Sequence, residues 1–288
     1  MQLSVLGLGL MGRRMARRLA DEFGEVAVWN RDPGKLGDMD LAGLRVFEDV
    51  TEAVGKADVV VTMLTDGAAV ADVLFNRGAA SAMRPGSVLI DMSSIAPWEA
   101  LDNGRRLAGH GIAQLDAPVS GGTAGAEAGT LAIMVGGERT VFDRVLPVLR
   151  PLGKPAYLGP AGSGQIAKLA NQVIVGAMIG AVSEGLALAR SGGLDLDAFL
   201  EAIRGGLAGS AVLEQLGPRM IAGDFSVRGR SSTHLKDIRN SLQYAAEQRL
   251  PLELTRRLEA AFASIIDRYG DVDHSALILN IQPGNSAR

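Results

Sequence analysis

Short, nearly unbroken apolar runs alternate with helix-patterned stretches over the first half of the chain. Leu3–Leu6, Val26–Trp29, Asp58–Met63, Ser87–Ile90 and Ile112–Leu115 read as strands, and Leu131–Val135 continues the series. Their near-continuous apolar character fits a parallel sheet covered on both faces. Between and after them, Leu10–Asp21, Ala68–Phe75, Pro97–Ala108 and Glu138–Leu149 read as helices. Strand followed by helix, repeated, predicts an α/β fold: a Rossmann-type, doubly wound sheet with right-handed crossovers.

The pattern changes at Pro151–Gly164, a stretch rich in Pro and Gly. Such punctuation predicts a domain boundary there, dividing the chain into 1–162 and 163–288. A long helix is expected over Gln165–Arg190. Its Gly176, Gly180 and Gly185 are poor helix formers, and small residues at that spacing let another helix come close. This helix is therefore expected to be buried on most sides. Asp197–Ile203, Ala211–Met220, Ser232–Gln248 and Leu252–Tyr269 follow as shorter helices, so the C-terminal domain reads as all-α.

Composition narrows the class. The chain has 288 residues, with 47% hydrophobic and 21% charged. That suits two packed domains and argues against disorder. A net charge of −3 gives no support to a nucleic-acid or anionic-membrane surface. There is no cysteine, which excludes disulfides, thiolate metal sites and a Cys nucleophile. His110, His234 and His274 lack ligand spacing, so no metal site is expected. No signal or transit pattern precedes the first strand, and the most apolar stretch, Val173–Val182, falls short of the ~20 residues that span a bilayer. A cytoplasmic protein is the expectation.

Gly7-Leu8-Gly9-Leu10-Met11-Gly12 is a G-x-G-x-x-G that follows the first strand and opens the first helix. Gly7 permits the tight turn, Gly9 lets the backbone approach a pyrophosphate, and Gly12 lets helix and strand pack. The helix N-terminus adds amide donors and a positive dipole. This predicts a nicotinamide dinucleotide. The second strand ends Val28-Trp29-Asn30-Arg31-Asp32, with Asn30 where NAD-binding chains place an acid. Arg31 has two readings. It pairs with a 2′-phosphate and stacks on the adenine, or it is a solvated surface charge. Asp32 is a contrary sign if it turns toward the ribose. The preferred reading is NADP(H), with NAD(H) possible.

Asp116-Ala117-Pro118-Val119-Ser120-Gly121-Gly122-Thr123 leaves the strand Ile112–Leu115. Ligands collect at such carboxyl ends. A hydroxyl and adjacent backbone N–H groups at Ser120, Gly121 and Gly122 suit a carboxylate, and an ordinary Gly-rich turn is the alternative. On the long helix, Gly164, Lys168 and Asn171 share one face, Gly164 leaving room for a ligand. A charged Lys on a mostly buried helix needs a partner or a task. It either snorkels as a structural residue or donates a proton to a carbonyl under reduction.

Four segments, in order, now resemble the β-hydroxyacid dehydrogenase family, which includes 3-hydroxyisobutyrate dehydrogenases and tartronate semialdehyde reductases. They are Gly7–Gly12, Asp116–Gly122 with Gly129-Thr130-Leu131, the run Gly162-x-Gly164-x-x-x-Lys168-x-x-Asn171, and Lys236-Asp237. The resemblance covers nearly the whole chain. It implies Lys168 as catalytic acid/base, with Asn171 its polar neighbour at the substrate, and Ser120, Gly121 and Gly122 on the substrate carboxylate. It also implies Leu64, Thr65 and Ser94 beside the cofactor. Lys236 then lies near the nicotinamide end and, with Asp237, at the substrate, where Asp237 orients Lys236 or closes the cleft.

The implied reaction interconverts a small β-hydroxy acid and its semialdehyde by hydride transfer. Glyoxylate and the succinic, tartronate and methylmalonate semialdehydes all fit a small carboxylate site. Ile238-Arg239-Asn240 departs from the small apolar residues expected after Lys236-Asp237. Arg228 and Arg230 upstream are surface charges or shape an anionic pocket. The alternatives are an imine reductase, which usually lacks the lysine, and a non-catalytic dinucleotide-binding module. A 6-phosphogluconate-type dehydrogenase needs a larger helical domain than this length allows. A homodimer or homotetramer is expected, since an all-α domain packs readily across a twofold axis.

Overall fold

Alternate residues of the central strands point to opposite faces, and both sets are buried. The computed structural model, which describes residues 1–37 and 39–281, divides into two compact units, Met1–Lys168 and Leu169–Arg288. In the first, the strands are β1 (Leu3–Leu6), β2 (Val26–Trp29), β3 (Leu44–Phe47), β4 (Val59–Thr62), β5 (Val88–Asp91), β6 (Ala113–Asp116), β7 (Val119–Ser120), β8 (Leu131–Gly137) and β9 (Gly153–Gly159). The helices are α1 (Gly12–Phe23), α2 (Val50–Val54), α3 (Gly67–Ala71), α4 (Ala79–Ala82), α5 (Pro97–Ala108), α6 (Gly122–Ala128) and α7 (Arg139–Leu149).

The order β3-β2-β1-β4-β5-β6 is wholly parallel. It is the strand order of a dinucleotide-binding sheet. Val5, Val61 and Ile90 face one hydrophobic cluster, Leu6, Val60 and Leu89 the other. Covering on both sides is why these strands read as unbroken apolar runs. Beyond β6 the sheet changes character. β8 runs antiparallel to β6 and β7, and β9 runs parallel to β8.

Three strands escaped the sequence reading. β3 is an edge strand in which only Leu44 is buried. β7 is two residues long. β9 lies inside the Pro/Gly-rich stretch read as a boundary; its exposure alternates along its length, as on an edge, where Pro and Gly are tolerated.

α8 (Ser163–Ser191) begins in the first unit and continues into the second. There α9 (Leu196–Arg204), α10 (Ala211–Ala222), α11 (Ser231–Glu247), α12 (Glu253–Tyr269) and a 3-10 turn over His274–Asn280 pack around Ile179, Leu186, Leu235, Phe262, Ile265 and Leu277. The glycines of α8 act as expected at two positions. A Cβ at Gly176 would press on His234 of α11, and one at Gly180 on Leu258 of α12, whereas Gly185 faces open space. The helix is less enclosed than its composition implied: Ile174, Met178 and Leu188 are exposed. By length and composition alone α8 also qualifies as a membrane-spanning helix, with an 18-residue window of mean hydropathy 1.6. The short stretch Val173–Val182 understated it.

Candidate active site

The turn after β1 is built for an anion. Gly7 sits at φ 98°, open to glycine alone at little cost. A Cβ at Gly12 would collide with the Gly7 carbonyl, whereas one at Gly9 would meet nothing within 4 Å. Asn30 braces the turn from the end of β2. Its Oδ1 accepts from the Leu8 N–H at 2.9 Å and its Nδ2 donates to the Asp32 carbonyl at 2.7 Å. Leu10 is exposed and Met11, the cap position, supplies no side-chain hydrogen bond to α1, whose first turn holds no acid. No acid of α1's own first turn neutralises the positive helix end. These features fit the pyrophosphate of a dinucleotide. Arg31 is exposed beside this turn, and Asp32 is committed to its own 3-10 turn, accepting from the Gly34 N–H at 3.1 Å.

The ends of β4 and β5 are tied side by side. The Leu64 N–H donates to Ser93 Oγ at 2.9 Å. Thr65 is exposed and Ser94 half-buried. Beneath them lies Asp91, fully buried, whose Oδ1 accepts from Thr62 Oγ1 at 2.8 Å and from the Ser93 N–H at 3.0 Å. Burial pushes its carboxyl up to about 6, against the pull of the Ser93 and Thr62 hydrogen bonds and helped by Asp116.

Asp116, in register with Asp91 on the next strand, anchors the start of α8. Its Oδ1 accepts from the Gly162 N–H at 2.8 Å and its Oδ2 from the Gln165 N–H at 2.9 Å. Burial raises this carboxyl despite those donors. A Cβ at Gly164 would collide with the Asp116 and Met134 carbonyls. That corrects the reading of Gly164 as ligand space: the glycine lets the helix approach the sheet. One turn on, Lys168 is only 8% exposed, and its Nζ donates to the Val119 carbonyl at 2.9 Å. Ser120 follows directly and is half-buried. Gly121 and Gly122 are exposed and hold φ 133° and 63°, conformations that favour glycine.

The remaining residues belong to the second unit. Asp237 is buried; one carboxylate oxygen lies 3.0 Å from Lys236 Nζ, the other accepts from Gln172 Nε2 at 2.8 Å. Asn171 is half-buried, and its Oδ1 is shielded from solvent with no hydrogen-bond partner among the described residues. Arg228 and Arg230 pair with Asp224 and Asp271, and Arg239 with Glu259. They are surface charges, answered within their own unit. Sequence reasoning missed Asp91, Ser93, Gln165 and Gln172. The one available signal was a polar side chain inside an otherwise apolar stretch.

Residues 2–176 match the family model described as the NAD binding domain of 6-phosphogluconate dehydrogenase. Residues 162–281 match that described as the NAD-binding of NADP-dependent 3-hydroxyisobutyrate dehydrogenase. The chain is 39% identical over 283 residues to 2-hydroxy-3-oxopropionate reductase of Escherichia coli, covering 96% of each. It is 33% identical to 2-(hydroxymethyl)glutarate dehydrogenase of Eubacterium barkeri, over 88% of this chain and 85% of that one. A solved 3-hydroxyisobutyrate dehydrogenase of Mycobacterium tuberculosis with L-serine superposes with a TM-score of 0.87 at 31% identity, covering 98% of this chain and 99% of that one. Matched in both halves and nearly end to end, the chain belongs to the β-hydroxyacid dehydrogenase family of NAD(P)-dependent oxidoreductases, enzymes that act on the CH–OH group of small hydroxy acids.

Proposed function

We propose that the chain is an NADP(H)-preferring reductase of a small aldehyde acid, with Lys168 as acid/base. The observation that carries this reading is the buried Lys168 ammonium, hydrogen-bonded to the Val119 carbonyl and thus adjacent in space to the Ser120–Gly122 turn. A proton donor and an anion-holding turn then lie one residue apart. Gly7–Gly12, Asn30 and Arg31, with Leu64, Thr65 and Ser94 alongside, would hold NADPH, which would supply the hydride. Ser120, Gly121 and Gly122 hold the substrate carboxylate and so set the carbonyl's direction. Lys168 presents a proton at Nζ to the carbonyl oxygen, and for alcohol oxidation takes one back as the neutral amine. Asn171 Oδ1, buried with no hydrogen-bond partner among the described residues, is the group assigned to orient the hydroxyl of the alcohol form. Lys236, held by Asp237, adds positive charge toward the nicotinamide end and the substrate.

Arg31 supports the NADP preference because Asp32, its neighbour in sequence, is engaged in its own turn, and Asp72, within electrostatic reach, is bonded to Arg77. The resemblance to 2-hydroxy-3-oxopropionate reductase makes that three-carbon aldehyde acid the first substrate to test. The exposed apolar stripe Ile174, Met178, Leu188 on α8 supports a homo-oligomer, and the glycine face of the same helix packs on α11 and α12, which supports a packed core helix over a membrane span.

The test is NADPH and NADH oxidation, followed at the nicotinamide absorbance, against a panel of aldehyde acids and one cyclic imine. Turnover of an aldehyde acid is expected, faster with NADPH. Turnover of the imine alone would overturn the substrate class. Lys168→Ala is expected to lower kcat at least ~100-fold with cofactor still bound. Near-parental turnover in that variant sinks the acid/base role. Arg31→Ala is expected to weaken NADPH by about 10-fold and NADH hardly at all. Equal losses would remove Arg31 as the discriminator.

A further inference from the structure

Gln165 is fully buried and uses both ends of its amide. Its Nε2 donates to the Ser93 carbonyl at 2.9 Å, and its Oε1 accepts from the Ile95 N–H at 3.2 Å. It thereby clamps the backbone on either side of Ser94. Its own N–H is held by Asp116 Oδ2. Lys168 follows three residues later, on the next turn of the same helix. Among side chains of this length glutamine offers a donor and an acceptor without charge at any pH, where glutamic acid does so only when protonated.

We propose that Gln165 is a positioning residue that locks the Ser93–Ile95 backbone to the turn of α8 carrying Lys168. The segment that lines the cofactor and the group that delivers the proton are thereby fixed as one piece. The proposal rests on Lys168 as acid/base. Hydride and proton must reach neighbouring atoms of one carbonyl, so their sources have to keep a fixed separation. A displacement of about 1 Å costs up to ~100-fold in rate. Asp116 contributes by holding the first turn, and Gln165 reaches across to the β5 loop.

The chemistry of the amide supplies a discriminating test. Gln165→Leu removes both hydrogen bonds. Gln165→Glu keeps the acceptor for the Ile95 N–H, but turns an oxygen toward the Ser93 carbonyl unless the acid is protonated. The Leu variant is expected to lose about 10- to 100-fold in kcat. Its Kd for NADPH should stay within about threefold of the parent, since the Leu64–Ser93 and Ser93–Asp91 bonds still hold the loop. The Glu variant is expected to recover on acidification, its kcat relative to the parent rising at least ~5-fold between about pH 8 and about pH 5.5 as the buried acid takes up a proton. A merely structural glutamine would show no such pH recovery.

Combining Gln165→Leu with Lys168→Ala is expected to give a double variant no slower than Lys168→Ala alone, because one residue acts through the other. If Lys168→Ala is slowed at least ~100-fold but measurable, and the Gln165→Leu loss multiplies with it, the positioning role is wrong and the acid/base role stands. A Leu variant within about twofold of parental kcat, or a Glu variant whose pH profile follows the parent's, overturns the proposal equally. If Lys168→Ala keeps parental turnover, the acid/base reading falls first and takes this one with it.

Discussion

Two buried carboxyls side by side, Asp91 and Asp116, show how a residue can matter without touching ligand. Asp91 has its proton held more tightly in the folded chain than in the unfolded one, with a folded value of about 6. Its contribution to stability is therefore full below about pH 4 and is lost as the pH rises through about 6, a change of roughly 3 kcal/mol. Asp91→Asn is expected to flatten that part of the stability profile. Urea unfolding of parent and variant at about pH 4 and about pH 7.5 measures it, and parallel profiles would show that Asp91 does not titrate there. The burial of Lys168 and the tight glycine turn after β1 were legible as letters, because each type has few uses in its context. Asp91, Ser93, Gln165 and Gln172 were not: a polar residue amid apolar neighbours announces a partner, but only the fold names it. Gly164 was read with the wrong purpose, since ligand space and close backbone approach demand the same missing Cβ.

At the scale of elements, α8 carries opposite demands along its length. A Cβ at Gly176 would lie 2.9 Å from His234 Nε2, whereas Gly185 has nothing within 4 Å. Gly185→Ala is expected to stabilise the protein by up to about 1 kcal/mol through helix propensity. Gly176→Ala should be neutral or destabilising, since the crowding offsets the same gain. Denaturant midpoints of the two variants test the contrast, and equal stabilisation at both sites would refute the packing role of Gly176. Legibility followed burial. The strands covered on two faces, and the helices with a clear apolar stripe, were located within a residue or two. β3 and β9 were missed because an edge strand needs fewer apolar positions, and in β9 Pro and Gly imitate a linker.

At the scale of the whole molecule, a doubly wound parallel sheet and a helical second unit followed from periodicity, whereas the place of β3 in the order and the antiparallel turn-back of β8 did not, because strand order and direction leave no mark in a short apolar run. The exposed stripe on α8 carries its own prediction. Leu188, 75% exposed, and Ile174, 54% exposed, are the positions to charge. Ile174→Glu with Leu188→Glu is expected to lower the solution mass measured by light scattering, and an unchanged mass would place any self-association on another face. One feature of the chain's division bears on how such enzymes diversify. The two compact units meet in sequence between Lys168 and Leu169, inside a single helix. A chimera joined there would inherit Gly7–Gly12, Ser120–Gly122 and Lys168 from one parent, and Asn171, Lys236 and Asp237 from the other. Recombination at that seam exchanges the second unit whole while leaving Lys168, its Val119 contact and the hydrogen bonds of Asp116 and Gln165 in the sequence that evolved them together.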